Sequence, residues 1–159
     1  MKKPLTLRRH LEASIPLLKK HPDKLHLWID EGAVCSKLGR SLSFEWRYRI
    51  TLLFLDFADS PDTIVVPLLA WIERNQYDLF ADPEKRAQAI AFKSEVIDHE
   101  KIDIQFTLPL SERVIVTPTP AGWQCEHVDE PPLPDATGTR LWQVFLKGEL
   151  IGESADPVT

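Results

Sequence analysis

The rhythm of hydrophobic and polar positions changes several times along this chain, and each rhythm predicts an element. Leu7, Leu11, Ile15 and Leu18 recur at helical spacing, which puts them on one face of an amphipathic helix over residues 7–20. Thr6 stands where a side-chain oxygen can accept a first-turn N–H as N-cap, while Lys19, Lys20 and His21 suit the negative C-terminal end. Pro16 removes a backbone donor inside this stretch, so the helix is expected to bend or restart there and to end at Pro22. Its polar face, with Arg8, Arg9, Glu12 and Lys19, reads as solvated surface.

Strand periodicity follows. In KLHLWID, Leu25, Leu27 and Ile29 alternate with His26, Trp28 and Asp30, and Asp30-Glu31-Gly32 supplies turn chemistry. In SLSFEWRYRITLLFLDF, residues 41–57, apolar and polar positions alternate from Leu42 to Tyr48 and then give way, after Thr51, to LLFLDF. This reads as one strand of about 16 residues, against the usual five or six, so Phe44 to Ile50 are expected to extend to the rim of the sheet. Its first half has a wet face carrying Glu45, Arg47 and Arg49. Its second half, Leu52 to Phe57, reads as covered on both faces by the helix that comes next.

Ser60, Pro61 and Asp62 give the start signals of that helix, and Ile64, Val65, Leu68, Leu69 and Ile72 its apolar face, with Trp71 beside it, up to about Gln76. Pro67 interrupts the hydrogen bonding, which points to an irregular turn with the regular helix beginning at Pro67. Residues 77–87 read as a loop with a short turn. AIAFKSEVI and KIDIQFTLPL form a hairpin through Asp98-His99-Glu100, with Ile102, Ile104, Phe106, Leu108 and Leu110 on one face, and residues 113–128 form a second hairpin turning at Pro120-Ala121-Gly122. Pro131, Pro132 and Pro134 then make a semi-rigid spacer. The closing LWQVFLKGELIGE is a hairpin with its turn near Lys147 and Gly148, too small to be stable unless docked on the main body or on another subunit. The expected fold class is α/β in the α+β sense: a mostly antiparallel sheet packed by two helices, with a core over residues 1–130, a linker over 131–140 and a C-terminal hairpin arm over 141–159.

Composition narrows the function classes. The 159 residues carry a formal charge of −5, which argues against a protein whose task is to grip nucleic acid, because that affinity comes from lysine and arginine displacing counterions. No apolar run approaches the roughly 20 residues that span a bilayer, and the basic N-terminus is not followed by the apolar stretch of a secretory signal. Folding in a cytoplasm, without a membrane partner, is therefore expected. Cys35 and Cys125 have no CxxC spacing and read as reduced thiols.

Candidate chemistry is thin. Asp56, Asp59 and Asp62 lack the spacing of a calcium loop and are each explained by a strand end or a helix start. Cys125 and His127 share one strand face, but neither they nor His99 belong to a zinc or nucleophile signature. Glycine-rich phosphate loops and a nucleophile elbow are missing as well. No catalytic residue, no metal ligand and no cofactor is assigned. Trp46 and Tyr48 beside Arg47 and Arg49 suggest a stacking platform for bases, yet alternation puts the aromatics and the arginines on opposite faces.

Five segments carry a resemblance: SLSFEWRYRIT, VVPLLAWIERNQYD, LPLSERV, EPPLP and the final GEL. In this order, from about Leu5 to about Ile151, the chain resembles the tail completion protein R (GpR) family of peduovirus-type contractile-tailed phages and prophages. The resemblance implies a structural virion protein without catalytic residues, similar to tail terminators. Such subunits form a ring, usually a homohexamer, that caps the head-proximal end of the tail tube, stops polymerisation and offers a surface for head and neck attachment. The alternative is a head–tail connector or neck adaptor of the same particle. The implied partners are further copies of the chain, tail tube and sheath proteins, and neck or connector proteins, with DNA only in transient passage through the lumen. The implied location is the neck of the virion, after assembly in the bacterial host cytoplasm. On this reading Glu45, Arg47 and Arg49, together with Trp142, Phe145 and Leu150 of the arm, are the candidate subunit or partner interface.

Overall fold

The computed structural model describes residues 1–131, 143–146 and 148–153; the linker beyond Pro131 and Trp142 lie outside the described residues. Its centre is an antiparallel five-stranded sheet of β1 (Leu25–Ser36), β2 (Phe44–Phe57), β3 (Ala91–Val96), β4 (Ile102–Thr119) and β5 (Gly122–Val128). The order is β1-β2-β4-β3, with β5 also paired to β4. The two hairpins expected from the sequence share one continuous strand, β4, whose even-numbered side chains from Ile104 to Val116 are buried on one face.

The long β2 is central rather than projecting. Phe44 to Phe54 pair with Ser36 to Leu25 of β1 on one side and with Val114 to Ile104 of β4 on the other. Phe44 to Ile50 therefore do not outrun the sheet, and both backbone edges of this stretch are filled. The strand that does outrun it is β4, since among the described residues Ile115 to Thr119 pair only with β5. Because β2 takes one edge of β4, β3 and β5 share the other, and on that edge Leu108 to Glu112 have no strand partner among the described residues. Pro109 falls in that gap, where its missing N–H costs nothing. The next outward-pointing N–H, of Ser111, donates to Gln76 Oε1 at 2.9 Å, so a side chain plugs the gap that no strand fills.

Helices cover one face. α1 (Lys3–Ser14) and α3 (Asp62–Asn75) pack together, and α1 continues into α2 (Pro16–Lys20). Leu7, Leu11, Ile15, Leu18, Ile64, Leu68 and Ile72 close on Leu25, Ile50, Leu52, Phe54 and Leu108, all essentially fully buried. The restart at Pro16 is real: Ile15 is extended, with φ −94° and ψ 119°. Two helix expectations fail. α1 begins at Lys3 with Pro4 in its first turn, and Thr6 is no cap; its hydroxyl donates to the Lys3 carbonyl at 3.0 Å. α3 runs unbroken from Asp62 through Pro67, because a proline in the second turn forfeits only one bond of a helix held by burial of Ile64, Leu68 and Ile72.

Two strand expectations also change. Asp30-Glu31-Gly32 is a bulge in a continuous β1, not a turn, because pairing with β2 resumes at Glu31 opposite Arg49. Among the described residues no helix or strand layer covers the second face of β2. Ile50, Leu52 and Phe54 point to the helices, whereas Leu53 and Leu55 are half-buried on the uncovered side. There Thr51 hydrogen-bonds Asp30 and Thr107 across the strands. The segment Tyr77–Phe80 is a 3-10 turn and α4 (Pro83–Arg86) a single helical turn. At the C-terminal end β6 (Gln143–Leu146) and β7 (Glu149–Glu153) pair as a separate two-stranded sheet that touches α3 and buries Val144. Among the described residues no helix is long and apolar enough to cross a membrane.

Candidate functional site

The open sheet face carries the charged row. Register sets Glu45 between Cys35 and Arg113, Arg47 between Ala33 and Ser111, and Arg49 between Glu31 and Pro109. Arg47 Nε donates to Glu45 Oε2 at 2.8 Å, and Arg49 Nε lies 3.7 Å from Glu31 Oε1. The hydrogen bond and the charge of Glu45 raise the Arg47 pKa further above its ordinary value. Apart from the half-buried Glu45 both pairs are exposed, so they contribute little to stability and remain available to a partner. Trp46 and Tyr48 lie on the helix side with their neighbours Ile50 and Leu52, so the structure does not assemble a stacking platform. The turn after α3 curls back over this row and closes a groove of about 880 Å³, lined by Arg47, Arg49, Glu31, Asp78, Asp82 and Glu84 among others.

Behind the row lies a buried polar knot. Glu112 occupies an in-facing position of β4 and is 3% exposed. Its carboxylate accepts the backbone N–H of Lys2 at 2.6 Å and of Lys3 at 3.2 Å, the Tyr48 hydroxyl at 2.6 Å and His127 Nδ1–H at 3.0 Å. It is thus the N-terminal cap of α1, supplied from more than a hundred residues away; first-turn N–H groups have no intrahelical acceptor, and an anion there also meets the positive end of the dipole. Burial alone would raise the Glu112 pKa, but the N–H groups of Lys2 and Lys3, the Tyr48 hydroxyl and the chain's N-terminal charge outweigh it and hold it below the usual carboxylate value. Burial first, and then the hydrogen bond and charge of Glu112, push the Tyr48 phenol well above its ordinary value.

The knot extends from the N-terminus to the residues just after β5. Lys3, 7% exposed, donates from Nζ to Gln76 Oε1 and to Glu130 Oε1, each at 2.8 Å. Lys2 Nζ meets Asp129 at 2.6 Å. Consecutive lysines at the start of the chain therefore grip consecutive acids at the root of the proline spacer. Sequence reasoning assigned no role to Lys2, Lys3, Glu112 or Asp129, and considered Tyr48, Gln76 and His127 only in other settings. The available signal was Glu112 itself, an acid in phase with Leu108, Leu110 and Val114 on the buried face of β4; Lys3 and Gln76 gave none.

The remaining candidates scatter. Phe145 and Leu150 face each other across β6 and β7 and are exposed, apart from the charged row, while Trp142 lies outside the described residues. Asp56, next to the end of β2, has φ 49°, pairs with Lys24 and donates its N–H to Asp103. Cys35 and Cys125 are free thiols. Among the described residues no group of three or more His, Cys, Asp or Glu side chains is placed to hold a metal.

The fold and its surfaces define a class: an α+β subunit whose antiparallel sheet is covered by helices on one face and, among the described residues, open on the other, with buried polar groups that tie the N-terminus to the root of the proline spacer. More specifically, the chain belongs to the P2 phage tail completion protein R (GpR) family, whose model matches residues 1–131. It is 34% identical over 153 residues to Tail completion protein R of Escherichia phage P2, covering 96% of this chain and 98% of that one. No solved structure matches. The knot joins four of the segments that carried the resemblance: Tyr48 lies in SLSFEWRYRIT, Gln76 in VVPLLAWIERNQYD, Glu112 in LPLSERV and Glu130 in EPPLP.

Proposed function

We propose that this chain is a structural virion protein that completes a phage tail. It caps the head-proximal end of the tail tube as a ring of identical subunits, six in the terminator pattern, stops polymerisation of tube and sheath, and presents its other side to the neck. The observation that carries this reading is the family match, which takes in the folded domain, while the likeness to Tail completion protein R runs nearly end to end. The architecture suits ring assembly. A ring contact is heterologous, so each subunit needs two different surfaces, and here one side of the sheet is helical and the other open. The crossing elements are the β4–β5 hairpin, which runs past β2 and leaves Trp123 63% exposed, and the C-terminal arm with exposed Phe145 and Leu150. β2 is not one of them, because both its edges are paired.

The net charge of −5 suits a lumen through which DNA slides without sticking. The experiment is to locate the chain in the particle, by gold labelling or by direct imaging of the neck. A ring on the last tube layer agrees with the proposal. Density only on the portal side would replace it with the connector reading.

A further inference from the structure

The outer side of the helix layer carries a basic surface that the subunit itself leaves unused. Arg9, Lys19 and Lys20 are exposed and make no ion pair among the described residues, and Leu5, one turn before Arg9, is 62% exposed. On the far side of the molecule, the open sheet face bears the groove whose exposed rim includes Glu31, Asp78 and Glu84. Further along that face lie the half-buried Leu53 and Leu55 and the exposed Trp28. The two surfaces cannot meet within one subunit, because the sheet stands between them. They can meet between two.

Dimensions agree with such a contact. Along β2 the six steps from Arg49 to Leu55 rise roughly 20 Å, and the stretch of α1 and α2 from Leu5 to Lys19 is of about the same length, roughly 21 Å. We infer that the outer face of α1 and α2 of one copy docks on the open sheet face of the next, with Arg9, Lys19 and Lys20 against the Glu31, Asp78 and Glu84 rim and Leu5 toward Leu53 and Leu55. The neighbour's helices then supply the third layer that the sheet lacks. Repetition of this front-to-back contact is heterologous and propagates in one direction, as ring closure requires. The inference rests on the self-assembly proposed above and assigns its surfaces. A nucleic-acid occupant does not suit the groove, since acids line its rim and both arginines already face carboxylates.

The test uses full-length chain added to tail tubes isolated from cells lacking the gene, with chemical cross-linking of adjacent copies at the tube end. The variants are Arg9→Glu/Lys19→Glu/Lys20→Glu, Glu31→Lys/Glu84→Lys, and all five changes in one chain. Each reversal alone should lower the cross-linked yield about tenfold or more, because like charges then face each other across the contact. Mixing the two variants, or combining all five changes, should restore most of the yield, since the reversed helix face again meets opposite charges at positions 31 and 84 and only Asp78 is left facing a like charge. Circular dichroism checks folding, and Arg9→Gln/Lys19→Gln/Lys20→Gln replaces a reversal that fails to fold, with a smaller loss expected. Yields like wild type from either reversal, or no recovery from the folded five-change chain, would overturn the inference. If the wild-type chain itself does not gather at tube ends, the ring proposal falls with it; an intact wild-type ring insensitive to these charges sinks only the docking geometry.

Discussion

Glu112→Ala is the sharpest perturbation of the fold. It removes the common acceptor of Lys2 N–H, Lys3 N–H, the Tyr48 hydroxyl and His127 Nδ1–H. His127 is about a third exposed and can turn to water, which leaves the two N–H groups and the phenol stranded. An unsatisfied buried donor costs about 1–3 kcal/mol, so the loss should be about 4 kcal/mol, in line with the roughly 3–5 kcal/mol measured when buried charged networks are broken. In urea at pH 7, with a slope of about 2 kcal/mol per molar, the midpoint should fall by about 2 M. Glu112→Gln keeps one acceptor but turns an amide N–H toward the donors, and should lose about half as much.

The pH dependence has a definite sign. The Glu112 pKa is lowered in the fold, so its contribution is complete above the unfolded carboxylate value of about 4.3 and is lost as pH falls through the folded one. Wild type should therefore lose more stability than Glu112→Gln on acidification below about pH 4.3. A midpoint for Glu112→Ala within about 0.3 M of wild type at an unchanged slope would refute the claim that this carboxylate holds α1 on the sheet.

Three further outcomes are expected. Leu52→Ala should cost about 3 kcal/mol and Leu53→Ala less than half of that, because only Leu52 is enclosed by the helices; equal losses in urea would mean that the second face of β2 is covered. Burial holds the His10 pKa down, with a contribution from Arg74, against the bond its Nε2 makes to the Pro67 carbonyl at 2.9 Å, so stability should be full above about pH 6.5 and decline as pH falls below it. His10→Gln should flatten the thermal midpoint between pH 7 and 5, and an unchanged slope would contradict this. Truncation after Glu130 keeps the Lys3 clamp and should cost only about 1–2 kcal/mol, the burial of Val144; if assembly on tube ends then proceeds as with the full chain, the arm has no role in it.

Much of the fold was legible because it depends on short-range periodicity. The in-facing positions of β4, the apolar face of α3 and the break at Pro16 each follow from spacing within a dozen residues. What escaped depends on contacts distant in sequence. Nothing near Lys3 announces that its helix is capped by Glu112, so the cap was placed on the local candidate Thr6. LLFLDF looked dry on both sides because its composition cannot distinguish a second helix layer from the half-burial of Leu53 and Leu55 on an open face. The charged row at Glu45, Arg47 and Arg49 was readable from alternation, whereas the groove over it was not, since its wall comes from residues 76–89 folding back.

The role proposed for the chain is to end the tail. The most direct measurement is the distribution of tail lengths, by electron microscopy, from cells in which its gene is deleted. Deletion should give overlong tube and sheath polymers that carry no heads, corrected when the intact gene is returned. Tails of normal length that merely fail to join heads would contradict it and assign the chain to the connector instead.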